Sequence, residues 1–580
     1  MIGSDTKQHQ GTEMAVLKFG SSILRDVHAV PAAVHEIYRH VQEGQTVVAV
    51  VSALMGETDR LLEMARALDE EADPWRIAEF LSTGERQSAL LLSMALERSG
   101  LTCAVIEPAS IELRAEGDPL DSDPVSLDAE SLHRQLSSIQ VVVLPGFYAI
   151  DEAGRTVLLG RGGSDDTALF IARELGAACR LVKDVGGIFE RDPAVPGPAP
   201  RRYANIHWDE ALGVAGKLVQ PKAIRYARTH NLSFEVTALN TPTGSIVGPG
   251  PTRLVDGPGT VQGPMTVALF GLGTVGYGVY RALSAHPEAF DIAGVAVRER
   301  AKRRDGVPER LLTDNIDDLL AREADLAIDV LAGDGPSGYV IEQALQAGRD
   351  AITANKEVMA ARGVELEELA HRNGRLLRCS ASVGGSLPAI ETVRRISANG
   401  RVISIEGVLN GTCNFILDSL AAGVPFDVAL ADAQRLGFAE SDPSFDLSGR
   451  DAASKLRILA RHAFGIDLAD TEMEVVGITG IDHEQASEAR HSGEEIRLVA
   501  RCEQTAEGYT AAVRPVRLPA EDPLAQVRGA NNLLRLRLEA GDTVVVTGRG
   551  AGRWPTSESV FADVMEIYRY RLLSSGDQGP

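Results

Sequence analysis

Cysteine is scarce in this chain and follows no pattern. Cys103, Cys179, Cys379, Cys413 and Cys502 are scattered over 580 residues with no CxxC pair and no local Cys/His cluster. Such spacing argues against a disulfide framework or a zinc motif and suits a reducing cytoplasm. Basic residues are in deficit too, 58 lysines and arginines against 81 acids, for a net charge of -23. A chain this acidic is no general binder of nucleic acid or anionic membranes, although local basic pockets for phosphate remain open to it. No apolar run approaches a membrane span. The first thirteen residues, MIGSDTKQHQGTE, lack the apolar core of a signal peptide, and Met14 is a second candidate start.

What is present suits a globular protein: 44% hydrophobic and 24% charged residues. The length implies at least two compact domains, and three or four at the usual size. From Ala15, the apolar runs AVLKF, TVVAVVSA, TCAVIE, VVVLPGF and RLVKDV alternate with amphipathic stretches such as 28–43. That alternation predicts an α/β fold with a parallel, buried sheet whose strand ends carry ligands. GPGPTRLVDGPGTVQGP, from Gly248 to Pro264, reads as a linker.

Several stretches point to chemistry. Lys18 ends the first strand before a Gly20-Ser21-Ser22 turn, where a lysine and backbone N–H groups can meet phosphate. LGRGGSDDTALFIAREL, from Leu159, is a Gly-rich turn into a helix that Ser164 or Asp165 is expected to cap, with Arg161 able to fork onto a carboxylate. Thr83, Gly84 and Glu85 are expected to open another helix, and Lys183-Asp184 to end a strand. After the linker, TVALF runs into GLGTVG, a GxGxxG between strand and helix, where Gly271, Gly273, Thr274, Val275 and Gly276 would form a dinucleotide turn. The following strand ends at Arg298 rather than at an acid, and Lys302, Arg303 and Arg304 follow, which favours a 2′-phosphate on the coenzyme.

GFAESDPSFDLSGRDAASKLRILAR, from Gly437, crowds acids and a lysine onto the start of an amphipathic helix capped by Ser448 or Gly449. Asp451 and Lys455 are neighbours on that helix. Glu440, Asp442 and Asp446 precede it in a Pro-interrupted loop expected not to be helical, from which their carboxylates could converge on an amine.

VLKFGSS, VVSALMGETD, STGE, GRGGSDDTAL, KDVGGIFERDP, GKLVQP and TPTGSIV occur in the order of the aspartate kinases, which the region from Ala15 to Gly248 resembles. The resemblance implies Lys18 and Lys217 on the ATP phosphates, Thr58, Glu85 and Arg161 on aspartate, Ser164 and Asp165 beside it, and Lys183, Asp184 and Lys217 flanking the nucleotide. Departures from the family are Ser21, Ile23, Lys183 and Gln220. GLGTVG, ITANKEV, SASVGGSLPAI, GVLNGTCNFIL, the Glu440–Lys455 signature and GRGAGRWPTSESVFADV resemble homoserine dehydrogenases in order across about 265 to 575. This implies Lys455 as proton donor or relay, Asp451 orienting it, Lys356 on the carbonyl side, and Glu440 and Asp446 on the substrate ammonium. Ser380 stands where that family has an acid, which puts its structural monovalent cation in doubt, and no other metal site is assigned.

The expected architecture is an amino-acid kinase fold at 14–248, a linker at 249–264, a Rossmann domain at 265–385, an α+β substrate and dimerisation domain at 386–540, and a segment at 541–575 returning to the nucleotide-binding region. The expected protein is a homo-oligomeric, cytoplasmic enzyme acting on aspartate with ATP and Mg²⁺, and on aspartate semialdehyde and homoserine with NADP(H). The alternative is a dehydrogenase whose N-terminal half is a kinase-like structural or ligand-binding module. The gap between the two resemblances leaves no room for the small ACT domains through which such enzymes answer to end-product amino acids, so insensitivity to threonine and lysine is expected.

Overall fold

Runs such as Thr46–Val51 and Val141–Pro145 have almost no polar face, so they suit only the middle of a sheet covered on both sides. The computed structural model describes residues 13–216, 218–241, 243–256, 263–333, 335–440, 442–468, 473–550 and 552–576, and the chain divides into two compact units, the first taking the chain up to residue 260 together with its end from residue 571, the second residues 261–570.

The first unit is built on a nine-stranded sheet in the spatial order Arg253–Val255, Arg202–His207, Ser245–Gly248, Phe234–Ala238, Ala178–Lys183, Met14–Phe19, Thr46–Val51, Val141–Pro145 and Cys103–Val105. The last six of these run parallel. Helices including Val30–Gln42, Pro74–Arg98 and Gly163–Leu175 pack against it. A small four-stranded sheet over 114–158 stands beside it. The expected linker begins later than its composition suggested. Arg253–Val255 pairs antiparallel with Arg202–His207, because an edge strand can use Gly- and Pro-flanked residues that a central strand could not.

The second unit opens with six parallel strands in the order Leu312–Thr313, Phe290–Ala296, Met265–Phe270, Leu326–Asp329, Asp350–Thr353 and Leu377–Arg378. This is the doubly wound order, whose switch point lies at the ends of Met265–Phe270 and Leu326–Asp329. Next comes a six-stranded, largely antiparallel sheet with Val402–Val408 and Glu494–Thr505 inside it and helices Ala389–Asn399, Gly411–Ala421, Arg450–Phe464 and His483–His491 packed around their shared core. The end of the chain splits between the two: Thr543–Arg549 is the edge strand of this second sheet, whereas Val560, Phe561, Val564 and Met565 of the last helix are buried in the nucleotide-fold core. No helix among the described residues is long and apolar enough to cross a membrane, and all five cysteines are free thiols.

Candidate active sites

Each unit holds one buried aspartate in the first turn of a helix, gripped by two lysines. In the second unit Asp451 Oδ1 lies 2.6 Å from Lys356 Nζ and Oδ2 lies 2.8 Å from Lys455 Nζ. Helix Arg450–Phe464 starts after Gly449, whose φ of +82° is left-handed, and no side-chain cap is used. Of the two expected caps it is therefore the glycine that ends the preceding turn. Burial opposes the Asp451 charge, but the ammonium groups of Lys455 and Lys356 prevail and hold it far below the usual carboxylate range. Burial likewise pulls Lys356 down, and the Asp451 carboxylate outweighs it, so Lys356 is raised and stays an ammonium.

Lys455 Nζ also donates to the Leu409 carbonyl at 2.7 Å, which accepts Asn532 Nδ2 at 3.1 Å as well. Two of the three lysine donors are thus spent on position, and one N–H remains beyond these two contacts. Asn410 links the acids by donating to Asp446 at 2.7 Å and to Asp451 at 2.8 Å, and its own oxygen caps helix Gly411–Ala421 through Cys413 N. Thr412 Oγ1 reaches Asp446 at 3.2 Å, and Lys356 Nζ stands 5.3 Å over the Phe445 ring.

The loop before this helix differs from expectation. Ser444–Leu447 is a short helix carrying Asp446, since Pro443 sits at its cap, where a missing N–H costs nothing. Asp442 spends its carboxylate on Ser444 N at 3.1 Å, and Glu440 is exposed, so of the three acids only Asp446 is tied to Asp451.

At the switch point Gly271 has φ +104°, and a Cβ there would stand 2.8 Å from the Val330 carbonyl. A Cβ on Gly276 would stand 2.2 Å from the Gly271 carbonyl, while one on Gly273 would meet nothing within 4 Å. The turn is therefore closed on its protein side and open at Gly273, the cap of helix Thr274–Ser284, as a pyrophosphate cradle requires. Arg298 and Lys302 are exposed after the second strand, and residues 300–309 line a cavity of about 1020 Å³. Ser380 gives both its N–H (3.1 Å) and its hydroxyl (2.7 Å) to Asp563 of the last helix, a buried acid pushed up to about 8 first by burial and then by Glu391 and Glu566. An acid is thus present beside the position where Ser380 replaces one.

In the first unit Asp165 Oδ1 lies 2.8 Å from Lys18 Nζ and Oδ2 2.9 Å from Lys183 Nζ. Burial raises the Asp165 pKa, but the two lysines outweigh it and hold it below the usual range. Helix Gly163–Leu175 begins after Gly162 at φ +88°, so Ser164 and Asp165 lie inside the first turn rather than capping it. Their side chains are thereby free to face the strand ends: Ser164 Oγ accepts from Ser52 Oγ at 3.0 Å. Thr83, Gly84 and Glu85 do not open a helix either. They lie within Pro74–Arg98, which Asp73 caps, and Gly84 lets the helix pass close to Ala53, where a Cβ would be 3.1 Å from that of Ala53. Glu85 Oε1 accepts from Ala53 N at 3.2 Å, Oε2 is buried without a partner among the described residues, and burial pushes the group up to about 8. Gly20 sits beside Lys18, where a Cβ would be 3.0 Å from Nζ, while Ser21 is exposed. Thr58 is half-buried, Arg161 and Asp184 are exposed, and Lys217 lies outside the described residues.

Asn410, Thr412, Asn532 and the Leu409 carbonyl were not singled out as site groups from sequence. An asparagine at a strand-to-helix turn reads as a cap, and Asn410 is one; its second role needs Asp446 and Asp451 brought to it from 36 and 41 residues away.

Residues 388–565 match the family model described as homoserine dehydrogenase, residues 271–379 the one described as homoserine dehydrogenase, NAD binding domain, and residues 13–236 the amino acid kinase family. The homoserine dehydrogenase of Corynebacterium glutamicum is 36% identical over 331 residues, covering 54% of this chain and 74% of that protein. That of Neisseria gonorrhoeae is 32% identical over 316 residues, covering 53% and 73%. The crystal structure of a homoserine dehydrogenase from Thiobacillus denitrificans is similar with a TM-score of 0.51 and 33% identity, covering 55% of this chain and 76% of that one.

Proposed function

Because the chain belongs to the homoserine dehydrogenase family and carries an amino acid kinase domain ahead of it, we propose that it is a bifunctional enzyme of the aspartate pathway. Its second unit interconverts aspartate 4-semialdehyde and homoserine with NADP(H), and its first phosphorylates the β-carboxylate of aspartate with ATP and Mg²⁺. The observation that carries this reading is the Lys356–Asp451–Lys455 cluster, which joins the nucleotide fold to the substrate domain within one unit.

The bound nicotinamide would supply or accept the hydride. Lys455 presents its remaining N–H to the substrate oxygen, donating the proton as the aldehyde becomes an alcohol and drawing it off in reverse. Asp451, anchored by Asn410, keeps both ammonium groups in place, and Lys356 adds positive charge on the carbonyl side. Asp446 and the exposed Glu440 take the substrate ammonium. Gly273 leaves the pyrophosphate its approach, and Arg298 and Lys302 take the 2′-phosphate.

In the first unit the nucleophile is a carboxylate, anionic at neutral pH, so no general base is needed and catalysis is positioning plus charge neutralisation. Lys18 and Lys183 supply the positive charge, with Asp165 holding them apart. Glu85, desolvated and half-satisfied, takes the aspartate ammonium, which would draw its raised pKa down; Arg161 and Thr58 reach the rest of the substrate.

Purified full-length chain assayed separately for ATP-dependent aspartyl hydroxamate formation and homoserine-dependent NADP⁺ reduction tests both halves. Dehydrogenase activity without any hydroxamate would leave the kinase-like module as the correct reading of the first unit. Charge-assisted contacts to a 2′-phosphate should make kcat/KM with NADP(H) exceed that with NAD(H) by about tenfold or more. Arg298→Ala with Lys302→Ala should erase most of that ratio; equal use of both coenzymes by the wild type would exclude the assignment.

Of the strands between the kinase match and the nucleotide-binding match, Ser245–Gly248 and Arg253–Val255 belong to the first unit's sheet and Met265–Phe270 to the second unit's parallel sheet. Threonine and lysine at millimolar concentration should leave both activities within about twofold, a coupling below roughly 0.4 kcal/mol. Saturable inhibition of fivefold or more, not competitive with substrate, would reveal a second site.

A further inference from the structure

Eleven residues beyond Lys356 on one helix stands Glu367, and eleven beyond Asp451 on the other stands His462. Lys356–Arg372 and Arg450–Phe464 therefore run side by side in the same direction, joined at their first turns by the Lys356–Asp451 pair and meeting again about 16 Å further on. Between these points Gly363 makes room for Arg461, which donates to the Met359 carbonyl at 2.9 Å; a Cβ on Gly363 would collide with that guanidinium. At the far meeting point His462 Nε2 lies 3.8 Å from Glu367 Oε1, and the thiol of buried Cys379, just past strand Leu377–Arg378, completes a trio whose donor atoms all lie within 4.8 Å of one another. The His462 side chain is only 9% exposed, and its Nε2 and the Glu367 Oε1 are buried with no hydrogen-bond partner among the described residues.

A buried imidazole nitrogen and a buried carboxylate oxygen that face each other and a thiol, neither with a hydrogen-bond partner among the described residues, form a costly arrangement for a protein interior. We propose that Glu367, Cys379 and His462 bind a divalent metal of borderline softness, Zn²⁺ in the first instance, which clamps the helices carrying Lys356 and Asp451. Imidazole, thiolate and carboxylate are each zinc ligands, and three protein ligands with a water in the fourth position is an established zinc arrangement. Bonds of about 2.1 Å at the tetrahedral angle hold nitrogen and oxygen about 3.4 Å apart, so the 3.8 Å gap needs only a small closure. Charge balances as well, since thiolate plus carboxylate match a dication, with the thiol proton leaving on binding. Arg394, Arg461 and Arg378 stand near enough to oppose a cation, but they also keep the imidazole neutral, as burial does first, with its pKa pushed down to about 3. Arg461 and Arg378 are already engaged, with Asp467 and Glu566 respectively.

The test is a Co²⁺ titration of the metal-free, full-length chain, which needs neither substrate nor coenzyme and so stands or falls apart from the enzymatic assignment. One equivalent should give a thiolate-to-cobalt charge-transfer band in the near ultraviolet with four-coordinate d–d bands in the visible, and Zn²⁺ should bleach both. Cys379→Ser should lose the charge-transfer band. His462→Gln should weaken uptake at least tenfold, because removing even an outer-shell partner costs roughly 10- to 100-fold. Absence of the band from the wild type overturns the proposal by itself, whether or not the variants fold, and so does its persistence in Cys379→Ser.

Discussion

Lys455→Ala should lower homoserine oxidation by about 10³- to 10⁴-fold in kcat, the upper part of the range for a positioned acid–base group, with aspartyl phosphorylation unchanged within error. The fold should tolerate this change. The cluster carries two lysines on one aspartate, so losing Lys455 leaves the Lys356–Asp451 pair at 2.6 Å, and the Leu409 carbonyl keeps Asn532 as a donor. No charge is stranded. Asp451→Asn, by contrast, leaves two ammonium groups facing each other without a counter-charge, and breaking a buried pair from that side costs roughly 3–5 kcal/mol. It should therefore lower both activity and the unfolding temperature, whereas Lys455→Ala lowers activity alone. Near-wild-type turnover by Lys455→Ala would remove the lysine from the mechanism. A parallel fall of kinase and dehydrogenase with the circular dichroism spectrum intact would show that the two units do not work independently.

Lys18→Met should reduce the kinase rate by about 10²- to 10³-fold, the usual cost of removing one preorganised donor from developing charge, and should leave homoserine oxidation untouched. The physical logic repeats that of the other unit. Lys183 stays paired with Asp165 at 2.9 Å, so the variant trades a net positive trio for a neutral pair. What it loses is the cation at the end of strand Met14–Phe19, beside the Gly20 turn. Lys183→Met removes the partner on the neighbouring parallel strand and should cost a comparable factor. If hydroxamate formation survived either change, the pair would be structural and the phosphate contacts would lie elsewhere on the strand ends.

Much of this was legible in the residues. Continuous apolar runs are buried parallel strands because nothing else hides both their faces, and GLGTVG between a strand and a helix forms the tight turn, since Gly271 needs a positive φ and Gly276 has no room for a side chain. Local punctuation was read less well. Ser164, Asp165 and Ser448 are good capping residues, yet both helices start from a left-handed glycine immediately before the first turn. Capping preference is worth only about a kilocalorie per mole, and here the first turns instead deliver Asp165 and Asp451 to their lysines. Thr83-Gly84-Glu85, expected to open a helix, lies inside Pro74–Arg98, where Gly84 marks close passage to Ala53.

The sequence by itself determined the division into two units, the strand-end placement of Lys18 and Lys183, the position of Lys356 just past a strand, and the i,i+4 pairing of Asp451 with Lys455, since these follow from Gly/Pro-rich linker composition, apolar periodicity and nearest-neighbour geometry. Only the tertiary structure decided which acids work together. Asp446 joins Asp451 through Asn410, Asp442 is spent on a turn and Glu440 stays exposed, although all three looked alike in one acidic loop. Tertiary structure alone also gathered Glu367, Cys379 and His462. Spacing rules see ligands only when they share a turn or a helix face, whereas these three come from two helices and a strand end up to 95 residues apart. Their meeting depends on how the two helices pack along their length, where Gly363 leaves room for the Arg461 guanidinium, a relation that no one-dimensional pattern encodes.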